Sequence, residues 1–139
     1  ELGILDFGCV RQYDVQRTDG FLRVLQALWS DDDEAVAKGY ADLGFGHGKA
    51  VVAPQVIAQF NRIALAPFLS DGPFDFGAWS FADEMRSFVL RHPEFLRLTP
   101  EPDDLLYLRV LSGLRGILNE GNCLVDARCL AEALCAERF

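Results

Sequence analysis

Apolar residues recur every three or four positions along most of the chain after residue 18, which is the spacing of helices with one buried face. The first predicted helix begins at Thr18 or Asp19, either of which can serve as its N-terminal cap. The second follows an acidic stretch, residues 30–33, where negative charge favours a helix start, and it ends at Gly44. The pattern stays helical from there to the end of the chain.

Proline and short polar residues mark the starts of three further helices. Pro54 suits the first turn of a third helix. Ser80 and Asp83 have the spacing of a capping box for a fourth, and Asp126 can cap the last one. The sequence therefore predicts a mainly α fold in one domain, residues 1–139, with about six helices in a bundle over residues 18–139.

The fifth predicted helix is the most apolar of the chain. It follows residues 99–102 (TPEP), a strong helix-start signal, and ends at Gly121. Its apolar residues are Leu105, Leu106, Leu108, Val110, Leu111, Leu114, Ile117 and Leu118. So wide an apolar surface predicts a central helix with neighbours on several sides.

The chain opens on an apolar, strand-like run, residues 2–5 (LGIL), and a strand within residues 1–11 is predicted to precede the helices. Natural N termini are usually polar and mobile, and the first residue here is not Met. The sequence is therefore expected to be a fragment of a longer protein.

Asp6-Phe7-Gly8 directly follows this strand-like run. In kinases the Asp of such a motif binds the Mg²⁺ that bridges the nucleotide phosphates. A hard cation prefers carboxylate oxygens, Phe7 can anchor the turn in the core, and Gly8 tolerates unusual backbone angles. The motif predicts Asp6 as a metal ligand, with Phe7 and Gly8 shaping the cofactor-binding turn.

Asp75-Phe76-Gly77 repeats the same three letters in a loop rich in Gly and Pro, without an apolar strand before it. This context predicts a structural turn in which Asp75 accepts hydrogen bonds from backbone amides, Phe76 fills an apolar gap, and Gly77 permits the bend.

Composition narrows the class of protein further. Half of the residues are hydrophobic and 24% are charged, as in soluble globular domains, and the net charge of −8 gives no electrostatic surface for nucleic acid or an anionic membrane. No run reaches the ~18 apolar residues of a membrane-spanning helix. With no secretory signal and no zinc-ligand spacing, the four cysteines are predicted to be reduced, packed thiols of a cytoplasmic protein: Cys9, Cys123, Cys129 and Cys135.

Three other groups of residues could suggest chemistry. Acidic residues 31–34 could bind a cation, but consecutive acids more commonly stay solvated at a helix start. His47 and His92 have no partner carboxylate or serine in a recognisable arrangement, and each is predicted to be a loop or helix-end residue. The glycines of residues 44–48 follow a helix rather than a strand and predict a turn, not a phosphate loop.

Over nearly its whole length the chain resembles the ABC1 (AarF/UbiB) family of atypical kinase-like proteins. Residues 3–11 (GILDFGCVR) are similar to that family's "LLDFGxV" segment, and residues 21–45 are similar to the two helices that follow it. Residues 108–118 (LRVLSGLRGIL) resemble the family's long C-terminal helix, and residues 123–134 are similar to its tail. The motif around Asp6 is sharp, whereas the rest is a pattern of helices and apolar positions.

The resemblance implies the C-terminal part of a kinase-like fold whose parent protein binds Mg²⁺ and ATP, performs phosphoryl transfer or ATP hydrolysis, and serves ubiquinone biosynthesis or lipid homeostasis. The family's other nucleotide-binding and catalytic residues precede this segment. We therefore expect no catalytic residue in this chain and no activity from it alone. The implied partners are the missing N-terminal kinase-like lobe, which should cover an exposed apolar flank, and ATP. Peripheral membrane association of the parent is compatible with this class.

Two alternatives stay open at this point. Aminoglycoside and choline phosphotransferases place a similar segment after a strand, but they continue with a different pattern from residues 9–13 (CVRQY). A helical interaction module or pseudokinase segment, in which Asp6 only caps a turn, would have no nucleotide chemistry.

Overall fold

The computed structural model describes residues 15–45, 52–98 and 102–138. Six α-helices lie in these ranges: α1 (Val15–Trp29), α2 (Asp33–Asp42), α3 (Pro54–Ala64), α4 (Phe81–Arg91), α5 (Pro102–Glu120) and α6 (Ala127–Arg138). Two 3₁₀-helices, Ala66–Phe68 and Pro93–Arg97, and two short strands, β1 (Phe74–Asp75) and β2 (Leu124–Val125), complete the described elements. The mainly α fold is confirmed, and the strand predicted within residues 1–11 lies outside the described residues.

The start of α1 differs from the prediction. The helix begins at Val15, before both proposed caps. Asp19 instead accepts a hydrogen bond from Nε of Arg138, 3.0 Å away, and so ties α1 to the end of α6. The first turn is fixed by Arg17, whose guanidinium donates to the carbonyl oxygen of Leu43 at 3.3 Å. Contacts between elements far apart in sequence therefore override the local capping signal.

Most of the other predicted helix ends are confirmed. The backbone N–H of Ala35 donates to Oδ1 of Asp32 at 3.0 Å, and Pro54 occupies the first turn of α3. Asp126 caps α6 by accepting from the backbone N–H of Cys129 at 3.0 Å. The capping box at Ser80 is wrong: Ser80 occupies the N-cap position of α4, but its side chain makes no cap hydrogen bond.

The core lies around α1, which packs against α2, α3 and α6. Its most deeply buried side chains are Val24, Leu25, Val36 and Ala58. The backbones of α1 and α2 approach closely at Gly39, where a Cβ atom would lie 2.8 Å from Cγ2 of Val24. Glycine is therefore required here by packing between the two helices.

A second cluster, of aromatic rings, joins α2, α3, α4 and the 3₁₀-helix Pro93–Arg97. The ring centroids of Phe60 and Phe95 are 4.3 Å apart, and Phe88 lies 5.2 Å from Phe95 and 5.9 Å from Phe60. Tyr40 contacts the edge of the cluster from α2. Phe88 is fully buried among these rings, so it links α4 to the rest of the fold.

The central position predicted for α5 is wrong within the described residues. One face of α5 is anchored: Tyr107 meets Phe21 of α1 with 6.3 Å between ring centroids, and Nδ2 of Asn119 donates to the carbonyl oxygen of Phe76. The described elements cover only this face, and the other apolar residues remain exposed: Leu105, Leu108, Val110, Leu114 and Ile117. The exposed apolar flank expected from the sequence is therefore present on this helix. None of the helices in the described ranges is long and apolar enough to cross a membrane.

Candidate functional site

The metal ligand predicted from the sequence, Asp6, lies outside the described residues, as do Phe7 and Gly8. The same holds for Cys9 and His47. The assignment of Asp6 to Mg²⁺, and of Phe7 and Gly8 to the turn around it, therefore stays a prediction.

The second Asp-Phe-Gly copy forms the structural turn that was predicted. Oδ1 of Asp75 accepts from the backbone N–H of Ala78 at 3.1 Å, and Phe76 is buried. A Cβ atom at Gly77 would collide with the side chain of Asn122, so only glycine fits there. Asp75 is the second residue of the short strand β1, which pairs antiparallel with β2, and the sequence did not predict this pairing. One oxygen of the exposed Asp75 carboxylate thus accepts a hydrogen bond within its own turn.

The acidic run before α2 is engaged by the protein itself. Oδ1 of Asp31 and Oδ1 of Asp33 lie 2.8 and 2.9 Å from NH2 of Arg62 in α3, while Asp32 caps α2. Burial works against the charged guanidinium, but the hydrogen bonds from the two carboxylates outweigh it and raise the pKa of Arg62. The helix-start interpretation of these acids is confirmed, but Asp33, with only 27% of its side chain exposed, is paired with Arg62 instead of staying solvated.

His92 ends α4, as predicted, but it does have a carboxylate neighbour. Its Nδ1 lies 3.3 Å from Oε1 of Glu94, and its ring packs 5.1 Å from that of Phe88. The expectation of no partner carboxylate is therefore wrong, because the 3₁₀-helix after Pro93 turns Glu94 back towards the imidazole. Gly44, with φ 93°, ends α2 as predicted.

A small cleft of about 200 Å³ lies between the start of α4 and the C-terminal half of α5. Arg115 places its guanidinium carbon 4.2 Å from the ring centroid of Phe81, which is a cation–π contact. Trp79 also lines the cleft, and its buried Nε1 has no hydrogen-bond partner among the described residues. Its indole meets Phe74 and Phe81 edge to face, at 5.2 and 5.1 Å. Sequence reasoning missed this cleft because its two walls are far apart in the chain.

The three described cysteines are free thiols in different environments. Cys135 is buried in the core and Cys123 is half-buried, whereas Cys129 is exposed, which corrects the prediction that all are packed. Cys129 follows the cap of α6 on its solvent side. Burial, and secondarily the negative charge of Glu132, raises the pKa of the Cys135 thiol.

These environments predict selective alkylation. Because the thiolate is the reactive form and Cys135 is both buried and protonated, iodoacetamide at neutral pH should label Cys129 and leave Cys135 unlabelled until the chain unfolds. Peptide mass spectrometry with and without urea measures this. Equal labelling of Cys129 and Cys135 in the folded protein would contradict the burial of Cys135.

Comparison with known proteins identifies the class of protein to which the chain is similar. It is 33% identical over 141 residues, 98% of the chain, to the rat (Rattus norvegicus) protein "Atypical kinase COQ8B, mitochondrial". The zebrafish (Danio rerio) protein of the same name is 33% identical over 105 residues, 73% of the chain. The alignments cover 24% and 16% of these relatives, so the chain spans about a quarter or less of their length. No family model matches the chain.

The similarity confirms the resemblance seen in the sequence. Both relatives are atypical kinases, and the matched region is the C-terminal part of such a protein. The chain belongs to the ABC1/UbiB family of atypical kinase-like proteins.

Proposed function

We propose that the protein to which this chain belongs binds Mg²⁺ and ATP and carries out phosphoryl transfer or ATP hydrolysis, with Asp6 holding the metal. The observation that carries the proposal is the 33% identity to an atypical kinase over 98% of the chain. An alignment of that extent leaves only about three residues outside, so the segment containing Asp6 lies within it. The folded turn around Asp75 supports the choice between the two Asp-Phe-Gly copies, because that carboxylate is already used within its own loop.

In the proposed function, this chain would supply only a metal ligand and the turn that holds it. A carboxylate at the end of a rigid segment suits Mg²⁺, and the bound ion would neutralise charge on the nucleotide phosphates. Asp6 would supply that carboxylate, and Phe7 and Gly8 would fix its turn. Catalysis in phosphoryl transfer is mostly positioning and charge stabilisation, so the remaining binding groups must come from the rest of the protein.

The test compares this chain with the full-length protein. Calorimetric titration with ATP should show Mg²⁺-dependent binding by the full-length protein and loss of binding in EDTA. The isolated chain should show none, because the residues that would cradle the phosphates are expected outside it. Micromolar binding by the isolated chain would contradict the division of the site proposed here.

A second function has one observation in its favour. The exposed apolar surface of α5 suits a helical interaction module or a pseudokinase segment as well as a kinase lobe. The two readings differ in the residues before Glu1: a His-x-Asp-x-x-x-x-Asn loop within a few tens of positions favours kinase chemistry, and its absence favours the module.

The biological setting follows from the family rather than from the site. We propose a role in ubiquinone biosynthesis or lipid homeostasis, which quinone and lipid measurements in a deletion strain would test. The sequence favours a cytoplasmic protein, with peripheral membrane association of the parent compatible with its class, whereas the names of both relatives include the word mitochondrial. Fractionation of cells that express the full-length protein distinguishes the two compartments.

A further inference from the structure

The cleft beside Trp79 contains none of the residues assigned to the proposed nucleotide site. Its lining comes from residues 79–83, which include the first turn of α4, and from Arg115, Gly116 and Asn119 of α5. Residues three and four positions apart are neighbours on a helix surface, so α5 presents these three to the same side. The cleft, of about 200 Å³, is smaller than the roughly 300–1,000 Å³ of sites for drug-sized ligands. A ligand that it encloses must therefore be smaller than a nucleotide.

The α5 wall of the cleft contains a glycine that leaves empty space. A Cβ atom at Gly116 would meet no atom within 4 Å, whereas at Gly39 and Gly77 it would collide with Val24 and Asn122. Glycine in the middle of a helix lowers its stability relative to alanine. Gly116 therefore enlarges the cleft at a cost to the stability of α5.

Arg115 supplies the positive charge of the cleft. Its side chain is half-buried, and it contacts the ring of Phe81, but no carboxylate or other acceptor in the described parts of the chain pairs with it. In contrast, carboxylates engage the guanidinium groups of Arg62, Arg128 and Arg138. A planar guanidinium matches a carboxylate with two parallel hydrogen bonds. Arg115 is therefore free to bind an anion that enters the cleft.

The rest of the lining is aromatic and weakly polar. The rings of Trp79 and Phe81 meet edge to face at 5.1 Å and give the cleft an apolar wall. The hydroxyl of Ser80 makes no cap hydrogen bond and can donate to a ligand. Asp83 is the acidic residue of the lining, but its side chain is 77% exposed and lies 3.8 Å from Arg86, which offsets its charge.

We propose that this cleft binds a small organic carboxylate with an apolar body. Arg115 pairs with the carboxylate, and the rings of Trp79 and Phe81 pack against the body. Inorganic phosphate shares the charge but leaves the aromatic wall unused, so it binds more weakly. The site is separate from the one proposed for Mg²⁺ and ATP and does not depend on it.

The test measures binding of 4-fluorophenylacetate to the full-length protein by the broadening of its fluorine NMR signal. Arg115→Gln should weaken binding roughly 10-fold or more, because it removes hydrogen bonds from a charged donor. Arg109→Gln is the matched control: it makes the same change on the same helix at an exposed position outside the cleft lining, and it should leave binding unchanged. The neutral amide of the probe should bind roughly 10-fold more weakly than the carboxylate.

Gly116→Leu tests the cleft without touching its charge. The new side chain should fill the space in front of α5 and abolish binding of the probe. The thermal denaturation midpoint should not fall, because a Cβ atom meets no neighbour there and leucine favours a helix more than glycine. Loss of binding without loss of stability separates a filled site from a damaged fold.

Four results would overturn the proposal. The first is no broadening with the wild-type protein, and the second is an equal loss of binding in Arg109→Gln and Arg115→Gln. Displacement of the probe by Mg²⁺ and ATP would show that it occupies the nucleotide site instead. Equally strong competition by inorganic phosphate would show that only the charge is recognised. ATP binding is titrated separately, so failure of the nucleotide proposal leaves the outcome for the cleft unaffected.

Discussion

Replacing Asp6 with alanine in the full-length protein is expected to weaken Mg²⁺-dependent ATP binding by at least about 100-fold. The carboxylate is the proposed protein ligand of the metal, and changes one shell further out already cost 10–100-fold in metal sites. Without it, the ion loses a fixed charge partner and the phosphates lose the ion that positions them. Calorimetric titration of ATP at constant Mg²⁺ measures the change.

The chain supplies its own matched control in the second Asp-Phe-Gly copy. Asp75→Ala removes the hydrogen bond from the backbone N–H of Ala78 and should destabilise the fold by about 1 kcal/mol. It should leave ATP binding unchanged, because this carboxylate serves its own turn. Wild-type binding by Asp6→Ala would remove the role of Asp6. Loss of binding by folded Asp75→Ala would show that the two copies had been assigned the wrong way round.

The sequence predicted the helices well because their signals are local. The apolar spacing, the acidic start over residues 30–33, the first-turn Pro54 and the cap at Asp126 depend on residues within a turn of one another, and the structure confirms these three helix starts. The predicted start of α1 was wrong because the carboxylate of Asp19 accepts a hydrogen bond from Arg138, at the far end of the chain. Local capping rules do not contain such a contact.

Contacts between residues far apart in sequence also limited what could be predicted of the candidate sites. The turn at Asp75 could be predicted, since Gly and Pro set its geometry nearby. The pairing of β1 with β2, the hydrogen bond from Asn119 to Phe76, and the cleft beside Trp79 all join residues far apart in sequence. A single sequence gives no signal for those contacts.

The interpretation of α5 failed for a different physical reason. A wide apolar surface predicts neighbours on several sides of a helix, but it does not say whether they belong to the same stretch of chain. Within the described residues they cover one face. The periodicity was therefore a poor guide to the burial of α5 among the described residues, where Val110 and Ile117 stay exposed.

The largest effect on stability is expected from Phe88→Ala. Phe88 is 0% exposed and contacts the rings of Phe60 in α3, Phe95 in the 3₁₀-helix and His92 at the end of its own helix. Truncation removes these contacts and leaves a cavity, at a cost of about 3–5 kcal/mol. A domain of this size is typically stable by only about 5–15 kcal/mol, so urea denaturation should show a much lower midpoint.

Leu90→Ala is the matched control on the same helix, because Leu90 is 77% exposed. Its effect should stay within about 0.5 kcal/mol, as for most surface substitutions. The comparison tests the packing of α4 directly, since both variants shorten an apolar side chain and differ in burial. Similar denaturation midpoints for the two variants would mean that the aromatic cluster does not hold α4 against α3. In that case α4 would have to be held in place by contacts at its C-terminal end, near His92, and by the turn that precedes its first residue.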